Sequence, residues 1–111
     1  MRIKSVLIVL ALISILLLSG CAETEMQTDV EKATLACVNE CKAWLDSDKD
    51  LSDGPCLLNP IPELPDWICD VAHDPRQDVD NDPNNQCSAF REGRAHHFVE
   101  VNPNCELIRT V

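Results

Sequence analysis

Apolar residues follow three different patterns along the chain, and each pattern predicts a different kind of segment. The first is an apolar run from Val6 to Leu18 that one serine interrupts and that Arg2 and Lys4 precede. A helix that crosses a membrane needs about 20 apolar residues, so this run is short for a membrane span and has the length of a signal-peptide core. Residues 1–20 are therefore predicted to be an export signal rather than part of the folded domain.

The second pattern has the period of a helix. Thr28 and Glu31 have the spacing of an N-terminal capping box, and the apolar residues after them recur at every third or fourth position. We predict an amphipathic helix from about residue 29 to residue 45. The residues on its apolar face are Val30, Ala33, Ala36, Cys37, Cys41, Trp44 and Leu45.

The third pattern consists of short apolar segments between turn sequences. Segments 89–91, 95–101 and 106–110 are predicted strands, because Glu92-Gly93 and Asn102-Pro103-Asn104 separate them. We predict a three-stranded antiparallel meander packed against the helix, which makes residues 29–111 one small α+β domain. Prolines and one glycine predict loops over 46–65 and 74–86, with a short helix from residue 65 to about residue 73 between them.

The predicted domain has two Trp, two Phe and no Tyr, so it has little apolar surface to bury. Its cysteines are therefore expected to stabilise the fold as disulfides. The side chains of Cys37 and Cys41 project from the same face of the predicted helix, so we expect each to bond a different later cysteine. The sequence does not decide which later cysteine each one bonds. The alternative of a zinc site is disfavoured, because no two cysteines have the C-x-x-C spacing. Three disulfides are predicted among Cys37, Cys41, Cys56, Cys69, Cys87 and Cys105.

The end of the apolar run carries a more specific motif. Leu18-Ser19-Gly20-Cys21 has an aliphatic residue, two small residues and a cysteine, and it resembles the lipobox of prokaryotic lipoproteins. The resemblance implies that the Cys21 thiol receives a diacylglyceryl group, that cleavage follows Gly20, and that residues 21–28 tether the domain. An uncleaved anchor, or an ordinary secretory signal in which Cys21 is incidental, is the alternative.

Lipidation at Cys21 would set the location of the protein. Two or more acyl chains anchor a protein stably, so the expected partner is a membrane and the expected place is its extracytoplasmic face. Ala22 follows the cysteine instead of Asp, and in a diderm bacterium this residue implies the outer membrane.

Charge excludes some partners. Removal of Arg2 and Lys4 with the leader takes the formal net charge from −10 to −12. Eleven acidic residues lie between residues 46 and 82, against Lys49 and Arg76. Nucleic acid and anionic headgroups would both be repelled by such a domain, so neither is an expected partner.

Two sets of residues are candidate metal ligands. Asp46, Asp48 and Asp50 have the alternate spacing of a calcium loop, although the residues after them depart from the EF-hand pattern. The second set combines His73, or Asp70, with His96 and Glu100. A solvated acidic loop and partly buried histidines are the simpler interpretations, and calcium is the one cofactor that we consider.

Catalytic signals are weak. The cysteines are expected to be oxidised, and no serine lies in a nucleophile-elbow or triad context. We therefore expect a non-catalytic binding or structural module whose ligand or surface partner is unknown. The alternatives are a calcium-type metal-binding protein and a small hydrolase or protease inhibitor. Segments 67–73, 75–76, 85–87 and 97–100 are similar to small cysteine-rich exported domains of archaea, a resemblance that implies no activity.

Overall fold

The computed structural model of the protein describes residues 26–111. The predicted signal peptide, Cys21 and most of the predicted tether lie outside these residues. The described part contains helix α1 (Asp29–Asp46), strands β1 (Cys56–Leu58), β2 (Trp67–Val71), β3 (His97–Val101) and β4 (Leu107–Thr110), the one-turn helix α2 (Ser88–Arg91), and two 3₁₀ turns (Asp78–Asn81 and Pro83–Asn85).

The predicted N-terminal helix and its capping box are confirmed. The Thr28 side chain accepts a hydrogen bond from the Glu31 backbone N–H, and the Glu31 carboxylate accepts one from the Thr28 N–H, both at 3.3 Å. The helix ends at Asp46, and Ala33, Cys37 and Cys41 are its buried residues. These three lie on the apolar face that the periodicity predicts.

The sheet has four strands in the order β1-β2-β3-β4. Strands β1 and β2 are antiparallel, β2 and β3 are parallel, and β3 and β4 are antiparallel. The α+β class and the helix packed on a sheet are therefore confirmed, whereas the purely antiparallel meander is wrong. The parallel pair aligns Trp67 with His97 and Asp70 with Glu100.

Three of the predicted segments have a different structure. Trp67–Val71 is a strand rather than part of a short helix, because all five residues pair with β3 and five residues are too few to show a helical period. Ser88–Arg91 is a helical turn rather than a strand, and the Asn59 side chain holds it by accepting a hydrogen bond from the Ala89 N–H at 2.8 Å. The predicted loop 46–65 contains the short strand β1.

The two faces of the sheet carry separate apolar clusters. The larger cluster lies between α1 and the sheet, and it includes Trp67, Val99 and Val101. The smaller cluster lies on the opposite face beneath α2, and it contains Ile68, Cys87, Ala89 and Ala95. The sheet is therefore the middle layer, and its second face is only partly covered.

Three disulfides link these layers, as predicted. Cys37 bonds Cys69 and Cys41 bonds Cys105, so each of the two helix cysteines reaches a different later cysteine. The third bond joins Cys56 to Cys87 and fastens β1 to the start of α2. Each face of the sheet thus has at least one covalent link to the segment that packs on it.

No helix within residues 26–111 is both long enough and apolar enough to cross a bilayer.

Candidate functional site

A polar site lies on the face of the sheet that points away from α1. Side chains alternate between the two faces of a strand, so Ile68 and Asp70 lie on the opposite face from Trp67 and its neighbours in the main core. The parallel register places Phe98 beside Ile68 and Glu100 beside Asp70. Two carboxyl groups that are thirty positions apart in the sequence therefore become neighbours.

These side chains form the floor of a pocket of about 350 Å³. Helix α2 and the loop before it form one wall, and strand β4 forms another through Arg109. This volume is at the small end of the range of ligand pockets, about 300–1,000 Å³. The lining residues are Ile68, Asp70, Arg76, Gln86, Cys87, Phe90, Arg91, Phe98, Glu100 and Arg109.

Asp70 is the unusual residue of this pocket. Its Oδ1 atom is buried and has no hydrogen-bond partner among residues 26–111. Burial, and after it the neighbouring Glu100 carboxylate, raise the pKa of Asp70 to about 8, although Arg76 and the Val71 backbone N–H act in the opposite direction. At neutral pH the side chain is therefore mostly a neutral carboxyl group, which can donate as well as accept a hydrogen bond.

Glu100 is held very differently from Asp70. Its side chain is buried, and Arg109 donates to it from Nε to Oε2 at 2.9 Å and from Nη2 to Oε1 at 3.5 Å. Arg76 adds a third hydrogen bond, from Nη1 to Oε1 at 3.4 Å. The hydrogen bond to Glu100 raises the pKa of Arg109 above its ordinary value. The Glu100 carboxylate is thus satisfied by the protein, whereas the Asp70 carboxyl is not.

Arg76 lies in a loop whose backbone is held in place by hydrogen bonds to the Asp80 carboxylate. Asp80 is 3% exposed and accepts hydrogen bonds from the backbone N–H groups of His73 and Gln77 at 3.0 and 2.9 Å. Burial acts to raise its pKa, but these bonds and the His73 ring outweigh burial and hold the pKa of Asp80 below its ordinary value. Gly54 is required beside it, because a Cβ there would lie 2.6 Å from Asp80 Oδ1.

The predicted histidine set is only partly brought together. His73 and Glu100 border the same shallow depression beside the pocket. The His73 ring pairs with Asp80, with Nδ1 2.9 Å from Oδ1. His96 lies elsewhere on the surface and pairs with Asp66, with Nδ1 2.6 Å from Oδ1. His73, His96 and Glu100 therefore do not converge on one point.

The predicted calcium set lies at the C-terminal end of α1. Asp46, Asp48 and Asp50 are all exposed, and the Asp50 carboxylate accepts a hydrogen bond from the Ser52 backbone N–H. Within residues 26–111, no three His, Cys, Asp or Glu side chains are grouped so that they could hold a metal ion. Calcium binding therefore stays a prediction from the sequence, without support from the arrangement of these side chains.

Sequence reasoning missed most of the pocket. It combined Asp70 with Glu100 in one candidate site, but it did not include Phe90, Arg91 or Arg109. One signal was present in the sequence: Asp70 is the one charged residue in an apolar segment that has cysteine and β-branched residues, as a strand does. Phe90 and Arg91 could not be found because segment 89–91 is predicted as a strand and forms a helical turn. Arg109 could not be found because only the pairing of β3 with β4 places it beside Glu100.

The groups in the pocket can recognise a ligand. Asp70 can donate or accept a hydrogen bond, the arginines carry positive charge, and Phe90 and Phe98 meet edge to face with ring centroids 5.2 Å apart. The sulfur in the lining belongs to Cys87, which is oxidised in a disulfide and cannot act as a nucleophile.

Comparisons of the chain with protein-family models, with curated proteins and with solved structures found no match.

Proposed function

We propose that the protein is an exported lipoprotein, anchored through Cys21, whose disulfide-linked domain is a non-catalytic binding module with its ligand site in the Asp70 pocket. The lipobox resemblance supports the anchor, and the pocket supports the binding function. The domain is acidic overall, so its target is not nucleic acid.

The unpaired Oδ1 atom of Asp70 is the observation that carries the binding function. A buried polar atom without a partner costs about 1–3 kcal/mol, and native proteins contain few of them. The Asp70 side chain lines the pocket, and a rotation of its carboxyl group would bring the unpaired atom to a ligand there. Glu100 in the same pocket has its partners supplied by the protein, so the missing bond is specific to Asp70.

The position of the pocket suits a protein held at a membrane. Thr28 follows Cys21 by seven positions, and seven residues span at most about 25 Å, so α1 would begin close to the bilayer. The pocket lies on the sheet face that does not contact α1. A ligand in the surrounding medium could therefore enter the pocket while the domain stays tethered.

The anchor is tested by labelling. Expression with labelled palmitate in a bacterial host should label the wild-type chain and leave Cys21→Ala unlabelled, because a thiol is needed for diacylglyceryl transfer. Ser14→Ala, a change inside the apolar run, should label as the wild type does. Equal labelling of the wild type and Cys21→Ala would refute lipidation at Cys21.

The role of Asp70 is tested by its effect on stability. Asp70→Leu removes the unpaired atom and should increase the free energy of unfolding at pH 7 by about 1–3 kcal/mol, measured by urea unfolding. Glu100→Leu is the matched control and should decrease it, because Arg76 and Arg109 would lose their partner. A loss of stability in Asp70→Leu similar to that in Glu100→Leu would show that Asp70 is structural and would remove the main support for the pocket.

A further inference from the structure

The charges around the pocket indicate which ligands it can accept. Three guanidinium groups line it, from the loop before α2, from α2 and from β4, against the carboxyl groups of Asp70 and Glu100. The lining is therefore positive whether or not Asp70 is ionised, in a domain whose formal net charge is strongly negative. A ligand cation would be repelled by the arginines, and a ligand anion would be attracted.

Two of the arginines have guanidinium nitrogens that make no hydrogen bond within residues 26–111. Arg76 uses all three of its guanidinium nitrogens, on Asn81, on the Asp80 carbonyl oxygen and on Glu100. In the part of the chain that the structure describes, Arg91 makes one hydrogen bond, from Nη1 to the Pro83 carbonyl oxygen, and Arg109 Nη1 makes none. Arg76 is thus a structural residue, whereas Arg91 and Arg109 can each donate to a ligand.

Part of the pocket lining is apolar, and Arg109 lies beside it, with its guanidinium carbon 5.3 Å from the centre of the Phe98 ring. Ile68 belongs to the small apolar cluster, and Phe98 packs against that cluster. Phe90 is 40% exposed, and its edge-to-face contact with Phe98 leaves a hydrocarbon surface open to the pocket. Such a surface can bury the apolar body of a ligand while its charged end lies among the arginines.

On these grounds we propose that the pocket binds a small organic acid with an apolar body, whose carboxylate accepts hydrogen bonds from Arg91, Arg109 and the Asp70 carboxyl. This inference rests on the proposed function, because it names the ligand class of the same site. The neutral form of Asp70 is the form that can donate a hydrogen bond to an anion. A neighbouring guanidinium group can donate a charge-assisted hydrogen bond to the same ligand carboxylate. The apolar body would lie against Phe90 and Phe98.

Three probes that share a phenylalkyl body and differ in the charge of the end group test the charge requirement. They are 3-phenylpropanoate, 3-phenylpropanol and 2-phenylethylammonium, titrated calorimetrically into the full chain in phosphatidylcholine nanodiscs, with empty nanodiscs as the blank. The acid should bind at least about tenfold more tightly than the alcohol and the amine, since it alone has a negative charge to pair with the guanidinium groups of the arginines. Equal or tighter binding of the alcohol or the amine would overturn the ligand class and leave the pocket as the ligand site. Binding of none of the three would count against the pocket itself.

Variants test the assigned donors. Arg91→Gln should weaken binding of the acid at least about tenfold. Arg94→Gln is the matched control, because Arg94 is exposed, pairs with Glu92 and does not line the pocket, so it should bind as the wild type does. Affinity of the wild type for the acid should fall above pH 8, whereas Asp70→Asn, which keeps a neutral donor, should bind with little dependence on pH. Unchanged affinity in Arg91→Gln, or the same pH dependence in Asp70→Asn, would overturn the assignment of that residue as a donor.

Discussion

Replacing Cys41 and Cys105 together by alanine is expected to lower the free energy of unfolding by about 4 kcal/mol. The two cysteines are 64 positions apart, the largest separation of the three disulfides. In the chain-entropy description, a crosslink that closes a longer loop restricts the unfolded chain more and stabilises the fold more. The bond also joins the last turns of α1 to the turn between β3 and β4, so its loss releases the helix from one end of the sheet.

The expected loss is large for a domain of this size, because domain stabilities are commonly about 5–15 kcal/mol. It corresponds to a fall in melting temperature of more than about 15 °C. Urea unfolding followed by the fluorescence of Trp67, which is 9% exposed, measures it. The paired replacement of Cys56 and Cys87, which are 31 positions apart, is the comparison and should cost slightly less. A loss below about 1 kcal/mol for the Cys41 and Cys105 pair would show that packing alone holds α1 on the sheet.

The elements that the sequence predicts correctly are those with local causes. Helix α1 has a capping box at Thr28 and a helical period over more than four turns, and both act within a few residues of each other. The pairing rule for Cys37 and Cys41 is also local, since it needs only the direction of two side chains on one helix. Which later cysteine each would reach depends on the sheet, and it could not be derived from spacing.

The elements that the sequence predicts wrongly depend on distant partners. Pro65 and Asp66 have the composition of a helix start, and this local signal favoured a helix over the strand Trp67–Val71. The strand forms because β3, about thirty positions later, pairs with all of its residues. The turn at Ser88–Arg91 likewise depends on Asn59, which binds the Ala89 N–H from 30 positions away. No short window of the sequence contains either interaction.

The candidate site also has residues that local sequence indicates and residues that only distant pairing brings in. Asp70 and Glu100 each attract attention as acidic residues in apolar segments, and sequence reasoning placed both in one possible site. The parallel register of β2 and β3 makes them neighbours, and the antiparallel register of β3 and β4 places Arg109 opposite Glu100. Without the second register no argument selects Arg109 over the other arginines as the partner of Glu100. His96 was grouped with them because of its residue type, but Asp66 holds it at another part of the surface.

Stability should fall as pH rises from about 4 to about 8, and this slope should come from Asp70. Its pKa is raised from an ordinary value of 3.8 to about 8 in the folded domain. Between these two pH values the unfolded chain has lost the proton and the folded domain has kept it, so unfolding releases a proton and each rise in pH favours unfolding. Burial sets this value first, and Glu100 from β3 and Arg76 and Asp80 from the loop act on it as well. Arg91 from α2 and Arg109 from β4 are the other charged groups that line the pocket.

Other carboxyl groups affect the stability of the fold at lower pH, and their contribution increases as the pH rises. The Ser52 backbone N–H lowers the pKa of Asp50, and the hydrogen bond from His96 lowers the pKa of Asp66. A carboxyl group with a lowered pKa stabilises the fold at pH values above its ordinary pKa, and this contribution is lost as the pH falls through the folded pKa. Stability should therefore be greatest near pH 4 to 5, where Asp70 is protonated and these carboxylates remain ionised.

Urea unfolding at pH 4.5, 6, 7.5 and 9 measures the slope. At about 1.4 kcal/mol per pKa unit, the total fall for the wild type should be at most about 5 kcal/mol, and stability should level off above pH 8. Asp70→Asn, which cannot ionise, should remove most of the slope. Asp53→Asn is the control, because Asp53 is an exposed acid outside the pocket, and it should keep the slope of the wild type. A slope that persists in Asp70→Asn would mean that Asp70 ionises normally in the folded domain. The neutral carboxyl donor, on which recognition of an organic acid depends, would then be absent at neutral pH.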